Sequence, residues 1–263
     1  RTFSIYNLLE SSVNIRIPED NVPFGCLLSG GLDSSIISYL LSKRVKKLQT
    51  FSIGQTIDAP DLVAARIVAQ RIGSDHHEVI ISAKEMLNVI PTVIKSVETY
   101  DITTIRASTP MYLLCNYIKT NFPDIKVIFS GEGSDELFGG YLYFKNAPSH
   151  LEFQNETIKL LNSIHFFDGL RADRCISSFG LELRVPFLDY TFTNYVLGLP
   201  PKFKIHDRIE KEILREEFEG CLPNEILWRK KEAFSDAISV ENHSWHSIIK
   251  KSIILNISIK LTP

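Results

Sequence analysis

An apolar run over residues 24–28 ends in Ser29-Gly30-Gly31-Leu32-Asp33-Ser34-Ser35, and Ile36, Ile37, Leu40, Leu41 and Val45 follow at helical spacing. Buried strand, glycine turn and helix start, in that order, commit this part of the chain to an α/β unit. The turn aims several N–H groups and the positive end of a helix dipole at one point, which suits a phosphate. Two glycines let the backbone turn sharply and approach a ligand closely. Ser29 and Ser34 add hydroxyl donors. Asp33 would repel a bound phosphate unless it holds a Mg²⁺ that the phosphate shares. The alternative is a plain turn in which Asp33 and Ser34 cap the helix.

The surrounding chain extends the same rhythm. Residues 24–28, 48–53, 77–81 and 126–129 read as strands, and residues 62–72 and 86–97 as helices, the latter with Pro91 inside. Thr109-Pro110 reads as a cap and first turn for a helix running to Phe122. Alternating strands and helices predict a parallel twisted sheet covered on both faces, with ligands at the carboxyl ends of the strands. Beyond residue 145 strand signals fade. Residues 151–164, 166–179, 190–197 and 210–218 read as helices. The expected organisation is one functional domain over 1–263: an α/β core over 1–145 and a mainly helical part over 146–263 that closes the site.

Length and charge exclude several classes. The chain has 263 residues, 44% of them hydrophobic, and a net charge of −2, which argues against general affinity for nucleic acid or anionic membranes. No stretch of about 18 apolar residues occurs, and no signal-peptide pattern opens the chain. Cys26, Cys115, Cys175 and Cys221 are scattered without a C-x-x-C pair, so a zinc site or disulfide framework is not expected and a cytoplasmic location fits. The glycosylation patterns at Asn155, Asn242 and Asn256 are then incidental. His76-His77-Glu78 lacks metal-ligand spacing and reads as a strand start.

A second glycine loop, Ser130-Gly131-Glu132-Gly133-Ser134-Asp135-Glu136, follows the fourth strand. Its three carboxylates either face solvent as an acidic loop with a helix cap or serve a cation and a charged ligand. Paired with the first loop, a magnesium site shared by Asp33 and Asp135 is the better account.

The first loop lacks the lysine of a G-x-x-x-x-G-K-[ST] phosphate loop. Its S-G-G-x-D-S pattern is instead that of enzymes cleaving ATP between the α- and β-phosphates. Residues 27–35 (LLSGGLDSS), 100–114 (YDITTIRASTPMYLL), 129–144 (FSGEGSDELFGGYLYF), 170–189 (LRADRCISSFGLELRVPFLD) and 226–236 (ILWRKKEAFSD) together resemble the synthetase half of the asparagine synthetases. The resemblance implies a PP-loop α/β fold and a two-step reaction. The side-chain carboxylate of aspartate attacks the α-phosphate of Mg-ATP, giving β-aspartyl-AMP and pyrophosphate, and ammonia then displaces AMP.

It also implies site residues. Ser29, Gly30, Gly31, Ser34 and Ser35 would cradle the pyrophosphate portion. Leu28, Ile53, Ser130 and Gly131 would hold adenine and ribose, and Asp33 and Asp135 would ligate Mg²⁺. Lys231 would neutralise charge on the leaving pyrophosphate; its alternative is a solvated basic patch. Thr103, Thr104 and Arg106 would recognise aspartate, Arg106 by a bidentate carboxylate pair, although an ordinary salt bridge or a capped carbonyl would also suit it. Glu132 would take the proton shed as the amine attacks. Arg184 and Asp189 read as an ion pair, or Arg184 as a lining residue.

Glutamine-dependent members begin with a glutaminase domain whose N-terminal cysteine is the nucleophile. Here residue 1 is arginine and Cys26 falls in a strand. The expectation is that this chain does not hydrolyse glutamine, and that a covalently linked N-terminal domain or free ammonia supplies the nitrogen. A related ligase such as a β-lactam synthetase, or a non-catalytic nucleotide-binding fragment, are the competing readings. Asp236-Ala237 departs from the Asp-Gly usual after the lysine motif.

Overall fold

Short apolar runs alternate with amphipathic ones, and the chain converts that alternation into strands and covering helices. The computed structural model describes residues 4–19, 22–206, 209–231, 245 and 247–249. Helix α1 (Ile5–Asn14) precedes β1 (Phe24–Leu27), and α2 (Leu32–Ser42), β2 (Gln49–Gly54), α3 (Pro60–Ile72) and β3 (Asp75–Ile80) follow. Next come α4 (Ala83–Val97), α5 (Ile102–Asn121) and β4 (Val127–Phe129). The second half holds α6 (Ser134–Phe138), α7 (His150–Ser163), α8 (Asp168–Ser177), β5 (Glu182–Arg184) and α9 (Tyr190–Leu197). It ends with the short strands β6 (Ile205–His206) and β7 (Ile209–Glu210), then α10 (Glu212–Glu217) and α11 (Asn224–Leu227).

Strands β1 to β5 form one parallel sheet in the order β3-β2-β1-β4-β5. The order reverses at β1, because β2 and β3 extend to one side while β4 and β5 lie on the other. A crevice therefore opens beyond the carboxyl ends of β1 and β4. Cys26 pairs in register with Phe129, so both glycine loops leave the sheet side by side. Alternate strand residues feed opposite faces. Val127 and Phe129 pack with Ile36, Leu40 and Val68 on one face. Ile128 packs with Phe51, Val93, Leu114 and Ile118 on the other. Burying such a side chain contributes about 1.5–3 kcal/mol, which fixes β4 although it has only three residues.

Four sequence expectations change here. The sheet takes its fifth strand from residues 182–184, beyond the expected core boundary. That strand has three residues, two of them charged, and carries no periodic signal. Helix α5 begins at Ile102, where the Asp101 carboxylate accepts the Thr104 N–H at 2.7 Å, so Thr109 and Pro110 lie inside it. The Arg106 carbonyl, which Pro110 cannot bond, instead accepts the Trp245 indole N–H at 2.9 Å. Arg184 and Asp189 do not pair with each other: Arg184 donates to Glu182, while Asp189 caps α9 and pairs with Arg16 at 3.0 Å. Finally, Glu210 belongs to β7, and α10 begins only at Glu212. Helix α4 runs through Pro91. The patterns at Asn242 and Asn256, the Asp236-Ala237 pair and Arg1 lie outside the described residues.

Candidate active site

The first loop is built for close approach. Gly30 has φ +73°, and a Cβ there would come within 2.5 Å of the Ala64–Ala65 backbone of α3. Gly31 is the N-cap of α2 and receives no side-chain cap bond, so the plain-cap alternative for Asp33 and Ser34 fails. The Ser34 hydroxyl instead accepts the Ser29 N–H at 3.2 Å and donates to the Gly31 carbonyl at 3.2 Å. Ser35 turns inward, 0% exposed, and donates to the same carbonyl at 2.7 Å.

The second loop packs directly on the first. A Cβ on Gly131 would sit 2.9 Å from Asp33 and Ser34 atoms. Ser134 donates to Asp33 Oδ1 at 2.6 Å across the two loops. The two acids then meet at one cation. Lys211 Nζ lies 2.7 Å from each Asp33 oxygen and 2.7 Å from Asp135 Oδ1. Lys231 Nζ takes the other Asp135 oxygen at 2.6 Å. Burial alone would raise the Asp135 carboxyl, but Lys211 and Lys231 outweigh it and hold it well below the usual carboxylate range. Burial would likewise lower the Lys231 ammonium, and Asp135 and Asp33 reverse that.

Behind this pair lies an acidic pocket. Arg171 Nη2, on α8, lies 3.0 Å from both Glu132 oxygens and 2.8 Å from Asp168 Oδ1. Burial raises the Glu132 carboxyl against the opposing Arg171 charge. Tyr141 donates to Glu136 at 2.6 Å and to Asp168 at 3.2 Å. Burial, then the Asp135 charge, push the Glu136 carboxyl up to about 7.

These groups surround a cavity of about 560 Å³ at the crevice, within the size range of small-molecule sites. Leu28, Ser29, Gly31, Asp33, Ser34, Ile53, Ser130, Gly131, Glu132, Asp135, Thr103, Arg106 and Lys231 all line it. Gly30, Ser35 and Thr104 do not. Gly30 is turned against α3, Ser35 is spent on the α2 backbone, and the Thr104 hydroxyl donates to Asp101 at 2.6 Å. Leu28 immediately follows β1 and Ile53 lies in the neighbouring β2, so the two flank a slot that suits a flat ring.

Among the described residues no group of three or more His, Cys, Asp or Glu is placed to hold a metal. Mg²⁺ does not need one, since it is commonly bound by one or two carboxylates, substrate phosphates and water. Asp33 and Asp135 supply two hard oxygen donors at a point that already carries a cation. The residues present therefore fit Mg²⁺.

Sequence reasoning missed Lys211 and Arg171. Lys211 falls in a segment with helical periodicity, where a lysine reads as solvent-facing; it is in fact 1% exposed and has φ +58°. Arg171 lies within residues 170–189, but nothing in its spacing points to Glu132, 39 residues earlier.

The sequence pattern of the asparagine synthase family matches residues 4–162 and 145–251. The asparagine synthetase [glutamine-hydrolyzing] of Mus musculus is 52% identical over 252 residues, which cover 92% of this chain and 44% of that protein. The Homo sapiens protein of the same name is 51% identical over 255 residues, covering 94% and 45%. That of Gallus gallus is 52% identical over 255 residues, with the same coverage of 94% and 45%. The chain thus spans less than half the length of these relatives.

Proposed function

The chain belongs to the asparagine synthase family, and from that premise and the geometry of its site we propose that it makes asparagine from aspartate, ATP and ammonia. The observation that carries the reading is the convergence of Asp33 and Asp135 on one cation between two glycine loops, beside Glu132.

Asp33 and Asp135 would hold Mg²⁺, which would supply charge neutralisation for the phosphates. Ser29, Gly31 and Ser34 would cradle the pyrophosphate portion, and Leu28, Ile53, Ser130 and Gly131 the nucleoside. Arg106, with Thr103 near it, would pair with a substrate carboxylate and hold aspartate with its side chain facing the α-phosphate. The aspartate β-carboxylate oxygen then forms a bond to that phosphorus while the bond to the β-phosphate oxygen breaks. Lys231 would offset the charge that builds on the departing pyrophosphate. This step is positioning and charge neutralisation more than covalent chemistry by the protein.

Ammonia adds to the acyl carbon of β-aspartyl-AMP, and the tetrahedral adduct must lose a proton as AMP departs. Glu132 lines the same cavity, and Arg171 orients it. It is the proposed acceptor of that proton. In the longer protein, a covalently linked N-terminal glutaminase domain would deliver the ammonia; free ammonia would serve this chain. Its four cysteines are unpaired, three of them buried, which suits the cytoplasm. Among the described residues no helix is long and apolar enough to cross a membrane.

The experiment is isotopic. The chain is supplied with ATP, Mg²⁺, ammonium and aspartate labelled with ¹⁸O in its side-chain carboxylate. One ¹⁸O should appear in AMP for each asparagine formed. AMP without label, or ADP in its place, would overturn the reading, as would turnover with a different acid and none with aspartate.

A further inference from the structure

Lys211 is held by more than its charge. Its backbone is left-handed at φ +58°, which lysine seldom adopts, and its side chain is almost fully buried. A Cβ on Gly140 would sit 2.2 Å from Lys211 Cε and 2.1 Å from Asp135 Oδ1, so the lysine stem passes where only glycine leaves room. The ammonium then meets both oxygens of Asp33 and one of Asp135, each at 2.7 Å. With Lys231 on the remaining Asp135 oxygen, two carboxylates face two ammoniums.

We propose that the Lys211 ammonium is the resting occupant of the divalent-cation position, so that the cation enters only together with a nucleotide's phosphates. This rests on the reading that Asp33 and Asp135 hold that cation. A Mg²⁺ at its usual 2.0–2.1 Å from oxygen cannot share the point with an ammonium at hydrogen-bond distance. A free cation arriving alone finds the carboxylates already neutralised, and entry would strand a buried ammonium without a partner. Breaking a buried pair in that way is strongly unfavourable. A triphosphate changes the balance, because it brings the cation and also supplies anionic oxygens for the displaced ammonium. The site therefore discriminates against free metal and takes metal and nucleotide as a unit.

The test uses Mn²⁺ as the probe, with free Mn²⁺ read by electron paramagnetic resonance during titration of the whole chain, with and without α,β-methylene-ATP. The wild type should bind Mn²⁺ weakly alone and about one equivalent with the nucleotide analogue. Lys211→Met should bind Mn²⁺ without nucleotide at least tenfold more tightly than wild type, while Lys211→Arg, which keeps the charge, should stay weak. Wild-type protein taking up one Mn²⁺ without nucleotide at micromolar concentration would overturn the proposal, and needs no variant to fold. So would equal nucleotide-free affinities in wild type and Lys211→Met. The underlying metal assignment is read separately: if Asp135→Asn binds Mn²⁺ with the analogue as wild type does, that assignment fails whatever Lys211 does.

Discussion

Replacing Gly131 by alanine separates the geometry of the two loops from their chemistry. The added methyl would lie 2.9 Å from the Asp33 carbonyl carbon, the Asp33 Cβ and the Ser34 nitrogen, whereas ordinary contact begins at 3.4 Å. Two of these are main-chain atoms at the start of α2 and cannot swing aside. The second loop must therefore retreat by about half an ångström, at an overpacking cost of about 1–3 kcal/mol. A misplacement of about 1 Å can cost a reaction 10²-fold, so roughly 10- to 100-fold of the aspartate-dependent rate of AMP release should be lost. Gly73→Ala is the control. Gly73 has φ +66° and nothing within 4 Å of a built Cβ, so alanine there costs strain of about 1–2 kcal/mol and touches no site residue. Melting temperatures and AMP-release rates of both variants decide the matter. Comparable destabilisation with a rate loss confined to Gly131→Ala is expected. A full rate in Gly131→Ala, or rates that simply follow stability in both variants, would refute the reasoning that the loops must touch.

Three further outcomes are expected. Glu132→Gln should keep aspartate-dependent ATP–pyrophosphate exchange but lose about 10²–10⁴-fold in amide formation, since only the second step sheds a proton to it; measuring both rates on one preparation checks this. Trp245→Phe removes the N–H that satisfies the Arg106 carbonyl over Pro110, at about 1 kcal/mol, and should raise the KM for aspartate several-fold with a smaller change in kcat. Burial holds the His76 ring down to about 4, where it bonds Thr50 and Ser52 at 2.9 and 3.1 Å. A folded value below the unfolded 6.5 means that this contribution is complete above about pH 6.5 and is lost as pH falls towards 4, by up to about 3 kcal/mol. Denaturant melts of wild type and His76→Gln across that window should show the wild type losing more.

The sheet and both loops are legible because β1 and β4 are each a short apolar run followed within three residues by a serine-glycine turn. A chain of that kind leaves few alternatives to a parallel sheet with ligand loops at one edge. The convergence of Asp33 and Asp135 followed from the same logic, since residues placed after adjacent parallel strands must emerge together. What the sequence hid depends on long-range contacts. β5 is too short and too charged to announce itself, and it is held by pairing with β4. The sequence points to too late a start for α5 because Thr109-Pro110 imitates a cap, while the actual cap, Asp101, lies five residues before Arg106 and also consumes Thr104. Lys211 carries no local signal, since its burial is set by Gly140, Asp33 and Asp135, all distant in sequence.

The central claim is that two loop carboxylates act on one phosphate-bound cation during activation of aspartate. Exchange of labelled pyrophosphate into ATP, driven by aspartate and Mg²⁺, measures that step alone, in wild type and in Asp33→Asn and Asp135→Asn whose folding is checked by circular dichroism. The wild type should show exchange that needs both aspartate and magnesium, and each variant should lose at least about 10²-fold while remaining folded. Near-normal exchange in either folded variant would contradict the account.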